Sequence, residues 1–170
     1  MTIQSEIPTP TEQEMAAAKR PHDIFLSNLI MNHILLFTGI STFGPQYIYF
    51  MALVPFFSIC AIAYTYYRST HIKREDSEFV YVHWQVARRW SRLFAGVLLL
   101  LASVSLIAFS ANHYLGLMKE AVYGLIGGFG LLPTLITVLV LIVIESDSLQ
   151  HARTGTIPKW ALKKFYGIES

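Results

Sequence analysis

Four long apolar segments constrain the fold of this chain more than any other feature of its sequence. They cover residues 24–43, 47–67, 93–112 and 121–144. An α-helix rises about 1.5 Å per residue and the hydrocarbon core of a bilayer is about 30 Å thick, so about 20 residues suffice to cross it. Across the chain 54% of the residues are hydrophobic and 14% are charged, a balance typical of membrane proteins. We therefore predict an all-α integral membrane protein with four transmembrane helices.

The short interruption between the first two segments predicts how they connect. Only Gly44, Pro45 and Gln46 separate them. A single helix over residues 24–67 would be about 66 Å long, far more than one bilayer covers. Pro45 removes a backbone donor and Gly44 permits a turn that other residues avoid. We expect the first two segments to form one antiparallel hairpin and the last two to form another.

The positions of lysine and arginine predict the orientation, because these residues accumulate in cytoplasmic loops. Twelve of the thirteen lie in three regions that four spans place on one side: the tail 1–23, the loop 68–92 and the tail 145–170. We expect both termini to be cytoplasmic and residues 1–23 to form a mobile tail, in which residues 12–19 could form a short helix. That tail contains three glutamates and does not resemble a cleavable signal peptide. We therefore expect a bacterial inner-membrane protein that keeps its first helix.

Two segments outside the apolar stretches have the pattern of amphipathic helices. In the loop, Phe79, Val82, Val86 and Trp90 recur at spacings of three and four residues. The C-terminal segment 157–166 also mixes aromatic and basic residues. We expect both segments to lie on the inner leaflet, where they either dock a partner or anionic lipid or only fix the topology. The residues predicted to form this cytoplasmic interface are Trp84, Arg88, Arg89, Trp90, Arg92, Trp160, Lys163 and Lys164.

The first apolar segment contains three polar residues, Asn28, Asn32 and His33. The two asparagines are four residues apart and share a helix face, which favours hydrogen bonds within the bundle. Two interpretations of His33 stay open. Its imidazole either forms such a hydrogen bond or acts as an axial haem ligand or quinone contact. A haem between two helices needs a second histidine at the same depth, and the other five lie at the ends of the apolar segments or outside them. We expect no metal site and no resident cofactor.

Charged residues are missing from the interior of all four segments, since Asp23 and Glu145 lie at their cytoplasmic ends. Ion-coupled transporters and proton pumps commonly keep an ionisable group inside the membrane, so this pattern disfavours such a mechanism. The fourth segment instead contains closely spaced glycines, with Pro133 following. Small residues four apart allow close helix packing, whereas glycine and proline breaks are also found in the helices that line transport sites. The predicted packing residues are Gly124, Gly127, Gly128 and Gly130, with Asn28 and Asn32.

The sequence contains no phosphate-binding glycine loop, no zinc-spaced histidines and no serine nucleophile elbow, so we predict no catalytic residues and no enzyme. A net charge of +2 gives no indication of a nucleic-acid partner. We expect a non-catalytic small membrane subunit, or an assembly or scaffold factor of a larger membrane complex. Its partners would be the lipid bilayer and other membrane subunits or further copies of itself. Two alternatives remain: a small channel or transporter, and a haem- or quinone-associated redox subunit that uses His33.

Overall fold

The computed structural model describes residues 9–166, and no strand occurs in this part of the chain. The helices are α1 (Glu12–Thr42), α2 (Leu53–His71), α3 (Glu78–Leu115), α4 (Lys119–Arg153) and α5 (Lys159–Tyr166), and a 3₁₀ segment, Pro45–Ala52, leads into α2. Helices α1, α3 and α4, together with α2 counted from Tyr49, are long and apolar enough to cross a membrane. The prediction of an all-α chain with four helices of spanning length is confirmed.

Helix α1 begins well before the predicted span. Thr11 and Glu14 form a capping box, in which Thr11 Oγ1 accepts from the Glu14 amide at 3.2 Å and Glu14 Oε2 accepts from the Thr11 amide at 2.8 Å. This reciprocal pair satisfies backbone donors that a helix start otherwise leaves unpaired. The predicted mobile tail is therefore corrected, because residues 12–23 are helical. Residues 1–8 lie outside the described part of the chain.

Helix α3 is continuous over 38 residues and contains both the amphipathic segment and the third apolar segment. Ser77 caps its start, and Gly116, in the left-handed conformation with φ of 69°, ends it. The apolar stripe of the amphipathic segment does not lie on a membrane surface. It packs inside the protein with the turn before α5 and with α5 itself. The buried residues of this core are Ala18, Phe79, Val82, Val86, Ala152, Ile157 and Ala161.

The long helices pack with α1 and α3 in contact at the centre and with α2 and α4 on either side. A second apolar core joins α1, α3 and α4, and its buried residues are Phe25, Leu29, Phe94, Val138 and Leu141. One end of the bundle carries the core that contains Phe79 and Val82, together with helix α5. This end is called the polar end below. The opposite end carries the connections at residues 43–48 and 116–118.

Three segments depart from α-helical geometry. Residues Asn28–Leu36 of α1 and Ile126–Leu131 of α4 are π-helical, and Pro45–Ala52 is 3₁₀. Pro133 follows the second π segment and lacks the N–H that would bond to the carbonyl of Phe129, which favours an altered ladder there. Such irregular turns are frequent at functional sites.

Candidate functional site

A chain of three ionisable side chains, here called the histidine–glutamate chain, is buried at the polar end. His22 of α1, His83 of α3 and Glu145 of α4 all have no exposed surface. His22 Nδ1 lies 2.6 Å from Glu145 Oε2, and His22 Nε2 lies 3.0 Å from His83 Nδ1. His83 Nε2 lies 3.2 Å from the carbonyl oxygen of Thr156, in the turn before α5. The histidine–glutamate chain thus connects three long helices to the turn that positions α5.

The backbone carbonyl of Thr156 sets the direction of these hydrogen bonds. A carbonyl oxygen only accepts, so His83 Nε2 donates to it. In neutral His83 the Nδ1 atom is then a lone pair, which accepts from His22 Nε2. The remaining contact, between His22 Nδ1 and Glu145 Oε2, also needs a proton. Three contacts therefore need three protons, whereas two neutral imidazoles supply only two. When all three hydrogen bonds are made, the histidine–glutamate chain holds one additional proton on the His22–Glu145 pair.

The histidine–glutamate chain has the form of a structural connection rather than a reactive site. It ends at a backbone carbonyl, and none of its three side chains reaches the surface. The ring nitrogens are occupied by one another, by Glu145 and by Thr156, and among residues 9–166 no three His, Cys, Asp or Glu side chains are placed to hold a metal ion. Glu145 Oε1 is buried without a hydrogen-bond partner.

The sequence alone did not predict that these three residues meet, because His22 and His83 lie outside the apolar segments and Glu145 lies at the end of one. One signal was present. Each residue occupies a core position of its helix: His22 shares a stripe with Ala18 and Phe25, and Glu145 shares one with Leu141 and Ser148. A titratable residue at a core position of a helical stripe needs a buried partner. The pattern therefore indicated that partners exist, although not which ones.

A second polar group, here called the asparagine cluster, joins α1 to α2. Asn32 Nδ2 donates to Asn28 Oδ1 at 3.1 Å and to the backbone carbonyl of Val54 at 2.7 Å. Asn28 Nδ2 donates to Ser58 Oγ at 3.1 Å. The two asparagines, which the sequence analysis named as packing residues, thus form hydrogen bonds within the bundle and between its helices.

His33 lies next to this cluster but has a different environment. Its Nδ1 lies 3.1 Å from the carbonyl oxygen of Asn28, and its ring makes an edge contact with Phe94 at 4.8 Å between centroids. The side chain is 7% exposed, and Nε2 is buried without a hydrogen-bond partner. His33 also lines a cavity of about 450 Å³ between the long helices, called the central cavity below. The other lining residues include no second histidine, so the cavity does not supply a pair of axial haem ligands.

The four glycines of α4 fall into two groups. A Cβ atom on Gly130 would lie 2.7 Å from Leu101 Cδ1, so this glycine allows α4 to approach α3. A Cβ atom on Gly124, Gly127 or Gly128 would meet nothing within 4 Å. Gly124 and Gly128 are exposed and four residues apart. Of these four glycines, Gly130 alone lies against another helix within the described part of the chain.

The tryptophans of the predicted cytoplasmic interface pack against other residues of this chain. Trp84 is 2% exposed. The rings of Trp90 and Trp160 make an edge contact at 5.8 Å, and the Arg89 guanidinium lies over both rings, at 5.5 and 5.2 Å from their centroids. Arg88 is half-buried over the Tyr66 ring. Arg89, Arg92, Lys163 and Lys164 are exposed, so the outer surface of this region is basic rather than aromatic.

The described residues define the class of this protein: an all-helical chain with four helices long and apolar enough to span a membrane. Comparison with protein-family models, curated proteins and solved structures gives no match.

Proposed function

We propose that this chain is a non-catalytic membrane subunit or assembly factor that binds another transmembrane protein through the exposed glycine face of α4. The observation that carries the proposal is the open space beside Gly124 and Gly128. In a membrane, where helices gain no hydrophobic advantage over lipid by associating, small residues four apart let a second backbone approach closely enough for van der Waals packing. Since residues 9–166 place no atom within 4 Å of a Cβ at either position, the helix that fits the face belongs to another polypeptide.

The proposed arrangement is a pair of antiparallel hairpins in a bacterial inner membrane, with both termini in the cytoplasm. The long helices have exposed apolar side chains along their sides, including Leu99, Leu106, Ile107, Leu139 and Val143. Exposed patches of this kind are rare on soluble monomers and suit contact with lipid. The exposed Arg89, Arg92, Lys163 and Lys164 lie at the polar end, which supports a cytoplasmic location for that end.

The channel or transporter alternative is less well supported. The central cavity is lined almost entirely by aliphatic and aromatic side chains, and the lining residues carry no charge. An ion or a polar solute entering it would lose its hydration shell without compensation. The cavity is better suited to a nonpolar molecule than to an aqueous path.

Substitution of the glycine face tests the proposal. We expect Gly124→Leu with Gly128→Leu to displace the companion proteins that co-purify with the wild type from native membranes in mild detergent. Gly96→Leu is the matched control, because Gly96 is an exposed helical glycine of α3 whose Cβ would also meet nothing within 4 Å. It should retain the companions.

Quantitative mass spectrometry of the purified material measures the result. Loss of a companion only from the α4 variant supports the proposal, and a second copy of this chain as that companion would identify it as self-association. A wild type that always purifies alone and monomeric, or equal retention by both variants, would refute it. Both variants should keep the thermal stability of the purified monomer, because a Cβ atom on Gly96, Gly124 or Gly128 would meet nothing within 4 Å.

A further inference from the structure

We propose that the central cavity binds a neutral lipophilic molecule with a hydroxyl group, of the quinol class, and that His33 Nε2 accepts the hydrogen bond from this hydroxyl. The inference goes beyond the proposed function and does not depend on it. The cavity is lined by residues of all four long helices, and its volume of about 450 Å³ lies within the range of small-molecule sites. Its lining combines a large apolar surface with very few polar atoms, as in sites for lipophilic ligands.

The irregular segments of the fold meet at this cavity. His33 comes from the π segment Asn28–Leu36, Met51 from the 3₁₀ segment, and Ile126 and Leu131 from the π segment of α4. Each departure from α-helical geometry weakens regular backbone hydrogen bonding, and π turns in particular recur at functional sites. Their convergence on one space points to a site that this irregular backbone shapes.

The hydrogen bond of Nδ1 determines the chemistry that His33 offers to the cavity. Nδ1 faces the Asn28 carbonyl oxygen, which only accepts, so Nδ1 carries the proton. In neutral His33 the Nε2 atom is then a lone pair. The two hydroxyl groups in the lining do not satisfy it, since Ser105 and Thr134 donate to the carbonyl oxygens of Leu101 and Gly130 in their own helices. A buried acceptor without a donor remains.

This acceptor selects a ligand with an O–H group. A quinol hydroxyl donates to a lone pair, whereas the carbonyl oxygen of the corresponding quinone has no proton to give. The ligand must also be uncharged, because no charged side chain lines the cavity. This excludes a haem as the occupant, since its propionates would lie unpaired in an apolar space and its iron would find no second histidine among the lining residues.

The experiment compares decylubiquinol and decylubiquinone binding to the full chain in lipid nanodiscs, by equilibrium dialysis under anaerobic conditions. We expect the wild type to bind the quinol about tenfold more tightly, the equivalent of one neutral hydrogen bond. His33→Phe should bind both forms equally, since it keeps an aromatic ring against Phe94 but removes the acceptor. His113→Phe is the control, because His113 is exposed and lies outside the cavity lining, and it should keep the preference.

A second variant and a spectroscopic readout keep the test decisive if His33→Phe does not fold. Ala102 lines the cavity, and Ala102→Phe should weaken binding of both forms by filling the space. In protein labelled with ¹⁵N-histidine, the Nε2 resonance of His33 should shift with quinol and not with quinone. Failure of both forms to bind, equal affinity of the wild type for the two, or an unshifted resonance would each overturn the proposal. These outcomes are independent of whether a companion protein binds α4.

Discussion

Substitution of Glu145 tests the hydrogen bonds of the histidine–glutamate chain. In Glu145→Gln the amide nitrogen can donate to His22 Nδ1, so all three hydrogen bonds survive without the additional proton. In Glu145→Leu the His22 Nδ1 atom loses its partner at 2.6 Å in a fully buried site. A buried polar group left unpaired costs about 1–3 kcal/mol. We take about 2 kcal/mol, which corresponds to a decrease in Tm of about 4–8 °C for a chain of this size.

Thermal unfolding of the purified wild type and of the two variants in detergent at pH 7 provides the measurement. Tryptophan fluorescence is a suitable signal, because Trp84, Trp90 and Trp160 all lie at the polar end, near the histidine–glutamate chain. The expected order of Tm at pH 7 is wild type and Glu145→Gln together, with Glu145→Leu below them. Equal destabilisation by Gln and Leu would refute the hydrogen-bond assignment.

Two further predictions concern the asparagine cluster and the orientation. Asn32→Leu removes two hydrogen bonds of about 0.6 kcal/mol each, so we expect Tm to decrease by about 2–5 °C. Ser41→Ala, whose hydroxyl bonds only within α1, should leave Tm unchanged. An Asn32→Leu protein with an unaltered Tm would contradict the assignment. The orientation is tested in a Cys60→Ala background with a membrane-impermeant maleimide added outside spheroplasts. The maleimide should label Gln46→Cys at once and Asp147→Cys only after lysis, since both positions are exposed and lie at opposite ends of the bundle. The reverse labelling order would exclude cytoplasmic termini.

The number of long helices followed from the sequence because it depends on local properties: the length of an apolar run and the residues that interrupt it. The positions of helix ends outside the apolar runs were harder to predict from the sequence. For residues 78–92 the periodicity identified the apolar face but not what covers it. Membrane lipid and a protein core both satisfy the same stripe, and the structure places α1, α4 and α5 against it.

The buried polar groups show the same division between local and tertiary information. His33 could be singled out because it lies inside an apolar run, where any polar side chain is conspicuous. Its unpaired Nε2 depends on the Asn28 carbonyl and on the π segment, which the sequence does not reveal. His22, His83 and Glu145 are far apart along the chain, and only the packing of three helices brings them within hydrogen-bond distance.

The continuity of α3 has a mechanical consequence. His83, near one end of this helix, and Leu101, in the wall of the central cavity, belong to one uninterrupted α-helical ladder. They are separated by about 27 Å of helix, with no proline between them. A tilt imposed on the part of α3 that His83 joins to His22 and Thr156 would therefore displace the cavity wall in the same rigid movement, without a flexible joint to absorb it.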